Sequence, residues 1–170
     1  PLSIPSLKGN EWNYVKECID TEWVSSVGKY VNLFEQNICE YTKSKYAVAC
    51  INGTAALHVA LRLSGVKEGD EVLVPTVTFI ATVNAVNYLN AEPIFLDCDK
   101  YFNIDIEKFI DFINKNTFFK NGYSYNKLTR KKIIAVIPVH VSGNAVDLEP
   151  LIEKCKNNNI KVIEDACESL

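Results

Sequence analysis

The stretch Ile51-Asn52-Gly53-Thr54-Ala55-Ala56-Leu57 turns an apolar run, Ala47 to Ile51, directly into an amphipathic helix through a Gly-Thr turn. Read outward from that turn, the chain is an α/β protein. The first N–H groups of a helix lack intrahelical acceptors and carry the positive end of its dipole, and glycine lets an anion approach the backbone. The turn carries neither a Walker lysine signature nor G-x-G-x-x-G, so the anion predicted here is a single phosphate rather than a triphosphate or dinucleotide.

Two further features fall at equivalent places. The strand pattern Glu71-Val72-Leu73-Val74 runs into Pro75-Thr76-Val77-Thr78-Phe79, a helix-start signal with an aromatic at the start of the next helix. The pattern Ile160-Lys161-Val162-Ile163 runs into Glu164-Asp165, two carboxylates. Ligands of open α/β sheets sit outside the carboxyl ends of the strands. A phosphate seat, an aromatic face and an acid are therefore expected along one edge, with His140 beside them at the end of strand 133–139.

At 170 residues and a formal net charge of −3, the chain fits one domain and lacks the basic character of a nucleic-acid or anionic-membrane binder. No apolar run of spanning length and no leader pattern directs it elsewhere, so the expected compartment is the cytoplasm. The cysteines at 18, 39, 50, 98, 155 and 167 form no C-x-x-C pairs, and with only two histidines no metal site is expected.

Along the chain, residues 1–10 read as an extended arm, 11–20 as a helix, 21–28 as a loop with Trp23, Ser25 and Ser26 as candidate ligand contacts, and 30–41 as a second helix. There follow strand 47–51, helix 54–64, strand 71–74, helix 78–89, strand 93–96, helix 105–114, strand 133–139, helix 147–158 and strand 160–164. Alternating strands and helices call for parallel pairing with right-handed crossovers. Asn121-Gly122 between aromatic-rich arms predicts a type I′ hairpin, read as an excursion from the sheet over about 115–131. Its aromatics suit a local or subunit contact better than a ligand. A parallel sheet ending in paired acids is expected to continue, so the chain reads as the first part of a longer protein.

A single phosphate, a flat ring against an aromatic and a carboxylate aimed at a ring nitrogen are together what pyridoxal phosphate requires. Thr54 and Ala55 would take the phosphate, Phe79 one face of the pyridine and Asp165 its nitrogen, which makes the ring an electron sink.

The combination of residues 52–57, 75–82, Pro138-Val139-His140 with Gly143 and Asp147, and Glu164-Asp165-Ala166-Cys167-Glu168-Ser169 resembles the DegT/StrS-type sugar aminotransferases, which are fold-type I pyridoxal phosphate enzymes. The resemblance implies a three-layer sandwich with a mainly parallel sheet. It makes residues 1–170 the N-terminal part of the cofactor-binding large domain, the rest of that domain and a small C-terminal domain lying outside these residues. It implies Gly53, Thr54, Ala55, Phe79, Asp165 and Glu168 as cofactor contacts, a homodimer, a nucleotide-linked keto sugar and glutamate as reactants, and surface-glycan synthesis as the setting. The opening Gly9-Asn10-Glu11-Trp12, the Trp23 to Gly28 loop and the hairpin look most like the branch named for legionaminic acid, which aminates C4 of an NDP-4-keto-6-deoxy-N-acetylhexosamine.

Glu168 stands where many members have Gln, and Val141-Ser142-Gly143 where Leu-Tyr-Gly is often seen. The family's Schiff-base lysine lies beyond the Asp motif, so residues 1–170 alone are expected to be inactive. The alternatives are a dehydratase of the same family and a non-enzymatic doubly wound module that only binds or dimerises.

Overall fold

The computed structural model describes residues 4–169. Positions 1–3 of the expected N-terminal arm, and Leu170, lie outside the described residues. The chain divides into two compact units, 1–49 and 50–170.

The first unit holds helices α1 (Glu11–Asp20) and α2 (Lys29–Thr42), joined by the 21–28 loop. Glu17 ties them: its carboxylate accepts from Lys29 Nζ at 2.7 Å and from the Tyr30 hydroxyl at 2.6 Å. These bonds hold the Glu17 carboxyl below the usual range and raise Lys29 and Tyr30. The rings of Tyr14 and Tyr30 add a contact at 5.1 Å.

The expected strand over 47–51 is not a strand. Val48 and Ile51 are 80% and 92% exposed, and the Ala49 N–H donates to Glu35 Oε1 at 2.8 Å rather than to a neighbouring strand. An apolar run becomes a parallel strand only where another strand lies alongside to form a ladder.

The second unit contains α3 (Gly53–Leu63), β1 (Glu71–Pro75), α4 (Ile80–Asn87), β2 (Glu92–Leu96), α5 (Ile106–Asn116), β3 (Thr117–Lys120), β4 (Tyr123–Asn126), β5 (Lys132–Val136), α6 (Leu148–Asn158) and β6 (Lys161–Val162). The sheet runs β2-β1-β5-β4-β3, with β6 also on β5. The pairs β1–β2, β1–β5 and β5–β6 are parallel, as the alternation required.

The sheet separates two apolar layers, because successive residues of a strand face opposite ways. Val72 and Val74 pack with Leu57 and Leu61 of α3 and with Ala85 and Val86 of α4. Leu73 packs on the other side, with Phe109 and Ile113 of α5 and with Leu151 and Cys155 of α6. That is the expected helix–sheet–helix sandwich. Burial pushes the Cys155 thiol up to about 12, so this sulfur serves as a small apolar group. α5 begins where Asp105 accepts from the Lys108 N–H at 3.0 Å, an N-cap worth about 1 kcal/mol.

The Asn-Gly turn forms as expected, with Asn121 at φ 50° and Gly122 at φ 81°. The hairpin is nevertheless part of the sheet rather than an excursion from it. Ser124 and Tyr125 pair antiparallel with Ile133 and Lys132, and Ser124 Oγ donates to the Asn158 carbonyl at 2.9 Å. Two of its aromatics pair, Phe118 stacking on Tyr125 at 5.4 Å with Arg130 over Phe118, while Phe119 stays exposed. At this end of the sheet the fully buried Glu71 accepts from Asn126 Nδ2 at 3.0 Å and from the Thr129 hydroxyl at 2.5 Å.

Strands 133–139 and 160–164 are shorter in regular pairing than expected, because Pro138 has no N–H to give a ladder. Single bonds carry them onward. Asp165 N donates to the Pro138 carbonyl at 2.9 Å, and His140 N donates to the Asp165 carbonyl at 3.2 Å. Among the described residues no helix is long and apolar enough to cross a membrane.

Candidate active site

The start of α3 and the segments that follow β1, β5 and β6 meet at one edge of the second unit. Gly53, Thr54, Val77, Thr78, Phe79, Val139, His140, Asp165, Cys167 and Glu168 border one depression of about 340 Å³. Its size lies at the lower end of the range for small-molecule sites, roughly 300–1,000 Å³.

At the start of α3, the N–H of Ala55, one of the two expected phosphate donors, is already bonded within the chain. Asn52 caps α3, its Oδ1 accepting the Ala55 N–H at 2.8 Å. The N–H groups of Gly53 and Thr54, the first two of the helix, have no acceptor within it. Ala55 lines a neighbouring recess with Asn52, Thr54, His58 and Tyr88. Glycine at 53 has a local reason: a Cβ there would stand 2.9 Å from Cys167 Sγ.

Phe79 occupies the N-cap position of α4, and its ring is 76% exposed, so one aromatic face is open at the rim. The helix starts at Ile80 rather than Thr78. Thr78 instead donates its hydroxyl to Thr82 Oγ1 at 2.9 Å.

Asp165 is buried, and its Oδ2 accepts the Thr82 hydroxyl at 2.6 Å while Oδ1 takes a weak 3.4 Å bond from Cys167 N. The hydrogen bond to Asp165, reinforced by burial, pushes the Cys167 thiol up to about 11. Glu168 accepts the Ser142 N–H, so its carboxylate is anchored to the tight turn 141–143. Gly143 in that turn has φ 81°, and a Cβ on it would meet the Glu168 carbonyl at 3.1 Å.

His140 is buried in the wall. Its Nδ1 accepts the Val146 N–H at 3.0 Å, which places the ring proton on Nε2, 3.2 Å from Glu164 Oε2. Asn103 braces the same turn, donating to the Asn144 carbonyl and accepting the Val141 N–H.

The structure thus brings Gly53, Thr54, Phe79, Asp165 and Glu168 together. Trp23 and Ser25 line a separate hollow of about 710 Å³ within the first unit, and Ser26 does not border it. Thr82 and Cys167 were missed by sequence reasoning. Cys167 could have been flagged two residues after the acid, whereas Thr82 is 83 residues from Asp165 and had only its four-residue spacing from Thr78 as a signal.

Residues 5–170 match the DegT/DnrJ/EryC1/StrS aminotransferase family. The chain belongs to that family. It is a pyridoxal-phosphate-dependent aminotransferase family, and the expected fold and cofactor class stand.

Among its relatives is the GDP-perosamine synthase of Caulobacter vibrioides, 41% identical over 99% of this chain and 42% of that protein. The aminotransferase structure from Psychrobacter cryohalolentis superposes with a TM-score of 0.82 at 29% identity, over 99% of this chain and 39% of that one. NtdA of Bacillus subtilis, solved with bound cofactor PMP, gives a TM-score of 0.79 at 29% identity over 94% of this chain and 33% of that one. The chain therefore spans about 42% of the length of the curated relatives it matches.

Proposed function

We propose that the whole protein transfers an amino group from glutamate to C4 of a nucleotide-linked 4-keto-6-deoxy sugar, using pyridoxal phosphate. The observation that carries the reading is the depression in which Gly53, Thr54, Phe79 and Asp165 converge. The donor set fits the group: helix N–H groups and a hydroxyl for a phosphate, an open aromatic face for a ring, and a buried carboxylate for a basic ring nitrogen.

Bound there, the cofactor supplies a protonated pyridine ring that draws electrons from the carbon bearing the amine. The chain's own residues do the holding. The first turn of α3 receives the phosphate, with the Thr54 hydroxyl as an additional donor. Phe79 shields one ring face from water. Asp165 keeps the proton on the ring nitrogen, which a neutral side chain of the same shape does less well. Glu168, tied to Ser142, stands at the wall as an acceptor for the cofactor's ring hydroxyl.

Two sugars are in play. The resemblance of the Trp23 to Gly28 loop and the hairpin to the legionaminic-acid branch supports an acetamido sugar. The 41% identity to a GDP-perosamine synthase supports a GDP-linked one. Whole protein incubated with glutamate and either the acetamido or the plain 4-keto-6-deoxy sugar nucleotide, followed by mass spectrometry, decides between them. Preference for the acetamido sugar upholds the branch, and equal turnover defeats it. Loss of a hydroxyl instead of gain of an amine would favour the dehydratase.

The reading includes a homodimer, supported by the apolar side chains that the first unit leaves exposed, among them Trp12, Ile19 and Phe34. Sedimentation of active whole protein as a monomer at micromolar concentration would overturn it. The aminotransferase reading predicts that Asp165→Asn in the whole protein cuts turnover by orders of magnitude while the fold survives.

A further inference from the structure

The carboxylate of Asp165 meets neutral donors in this structure: the Thr82 hydroxyl at 2.6 Å, the Cys167 amide at 3.4 Å and the Cys167 thiol. The first of these is the short one. Thr82 is completely buried and lies outside the lining of the depression. A hydroxyl has one proton to give, and Thr82 receives one from Thr78 at 2.9 Å. Its own proton goes to Asp165 Oδ2, while the Thr78 proton has Thr82 Oγ1 as its nearer acceptor and the Phe79 carbonyl, at 3.3 Å, as a second, so the shorter path runs from Thr78 through Thr82 to the acid.

Thr78 stands just ahead of α4, and the Thr82 N–H bonds back to the Phe79 carbonyl at 3.2 Å. The segment that presents the aromatic face to the depression is thus the segment that holds the acid from behind. With Oδ2 held by Thr82 at 2.6 Å, Oδ1 takes only the weak 3.4 Å bond from the Cys167 amide and is the oxygen left for a ligand.

We propose that Thr82 is the positioning residue for Asp165: its hydroxyl, oriented by Thr78, fixes Oδ2 and leaves Oδ1 for the cofactor's ring nitrogen, a role that rests on the reading above that Asp165 pairs with that nitrogen. Nothing in this role requires the Thr82 methyl group, which separates it from simple packing.

The test uses whole protein loaded with 15N-labelled pyridoxal phosphate, reading cofactor dissociation by dialysis and the ring-nitrogen shift by NMR. Thr82→Val keeps the shape and removes the donor. It is expected to weaken cofactor retention about tenfold, as befits a lost hydrogen bond to a charged group, and to move the ring-nitrogen signal toward its unprotonated position. Thr82→Ser keeps the donor and should restore both. Wild-type retention and shift in Thr82→Val, or equal damage in Thr82→Ser, would overturn the proposal. Should Thr82→Val fail to fold, Thr78→Val decides: a smaller loss in the same two readouts supports the relay, and no change overturns it. Asp165→Asn separates the two levels. If it leaves the ring nitrogen unaltered, the pairing itself is wrong; if it alters the ring nitrogen while Thr82→Val does not, only the positioning role falls.

Discussion

Asn52 Oδ1 lies 2.8 Å from the amide nitrogen of Ala55, so α3 carries its own cap at the turn where an anion is also expected. Cap and ligand draw on the same short run of donors, which separates the stability of this turn from its binding capacity.

Asn52→Ala removes the cap and is expected to cost about 1 kcal/mol of stability, measured by urea denaturation. Asn52→Asp should keep the cap and weaken binding of a phosphate-bearing cofactor, because it adds a negative charge beside the seat.

Gly53 and Cys167 compete for the same space, a Cβ at 53 standing 2.9 Å from the sulfur. Gly53→Ala alone should destabilise by about 1 kcal/mol, the low end for an overpacked site, because the exposed Cys167 side chain can turn aside. Combined with Cys167→Ala, most of that loss should be recovered, and a double-mutant cycle showing additivity would contradict the contact.

The Cys167 thiol is pushed up to about 11, with the hydrogen bond to Asp165 the leading cause. The carboxylate holds the protonated form, so Asp165→Asn should lower the thiol's midpoint. Alkylation of Cys167, followed by peptide mass spectrometry from pH 7 to 11, should therefore set in at lower pH in that variant.

Glu71 sits fully buried at the opposite end of β1, bonded to Asn126 and Thr129. Thr129→Val should cost about 1.5–3 kcal/mol, as a donor lost to a charged acceptor. Cofactor binding should be unchanged, because this pair lies at the end of β1 away from Pro75 and the depression.

Local patterning explains what the sequence revealed. The alternation of apolar strands with helical periods marked β1, β2, β5 and the helices between them, and Asn121-Gly122 announced its hairpin, because each signal lies within a few consecutive residues. The acid, the aromatic and the helix start could be placed at one edge because topology carries strand ends there. Pairing was less legible. Nothing local told that β4 would join β5, or that 47–51 would remain coil, since a strand depends on what lies beside it. That Asn52 would cap α3 and take the Ala55 N–H was not legible, because Asn52 and Thr54, on either side of Gly53, both suit the start of a helix. The Thr78, Thr82 and Asp165 relay joins two connections far apart in the chain, and only their folding together reveals it.

β1 occupies one edge of β5, so β4 and β6 must share the other: β4 reaches Ile133, and β6 begins at Ala135. The hairpin therefore works as a ruler. Where β4 stops fixes where β6 can start, and Asp165 follows Val162 by only three residues. A register slip in the Asn-Gly ribbon would be carried along the shared edge and would raise or lower the acid against Thr82, although no atom of the ribbon borders the depression.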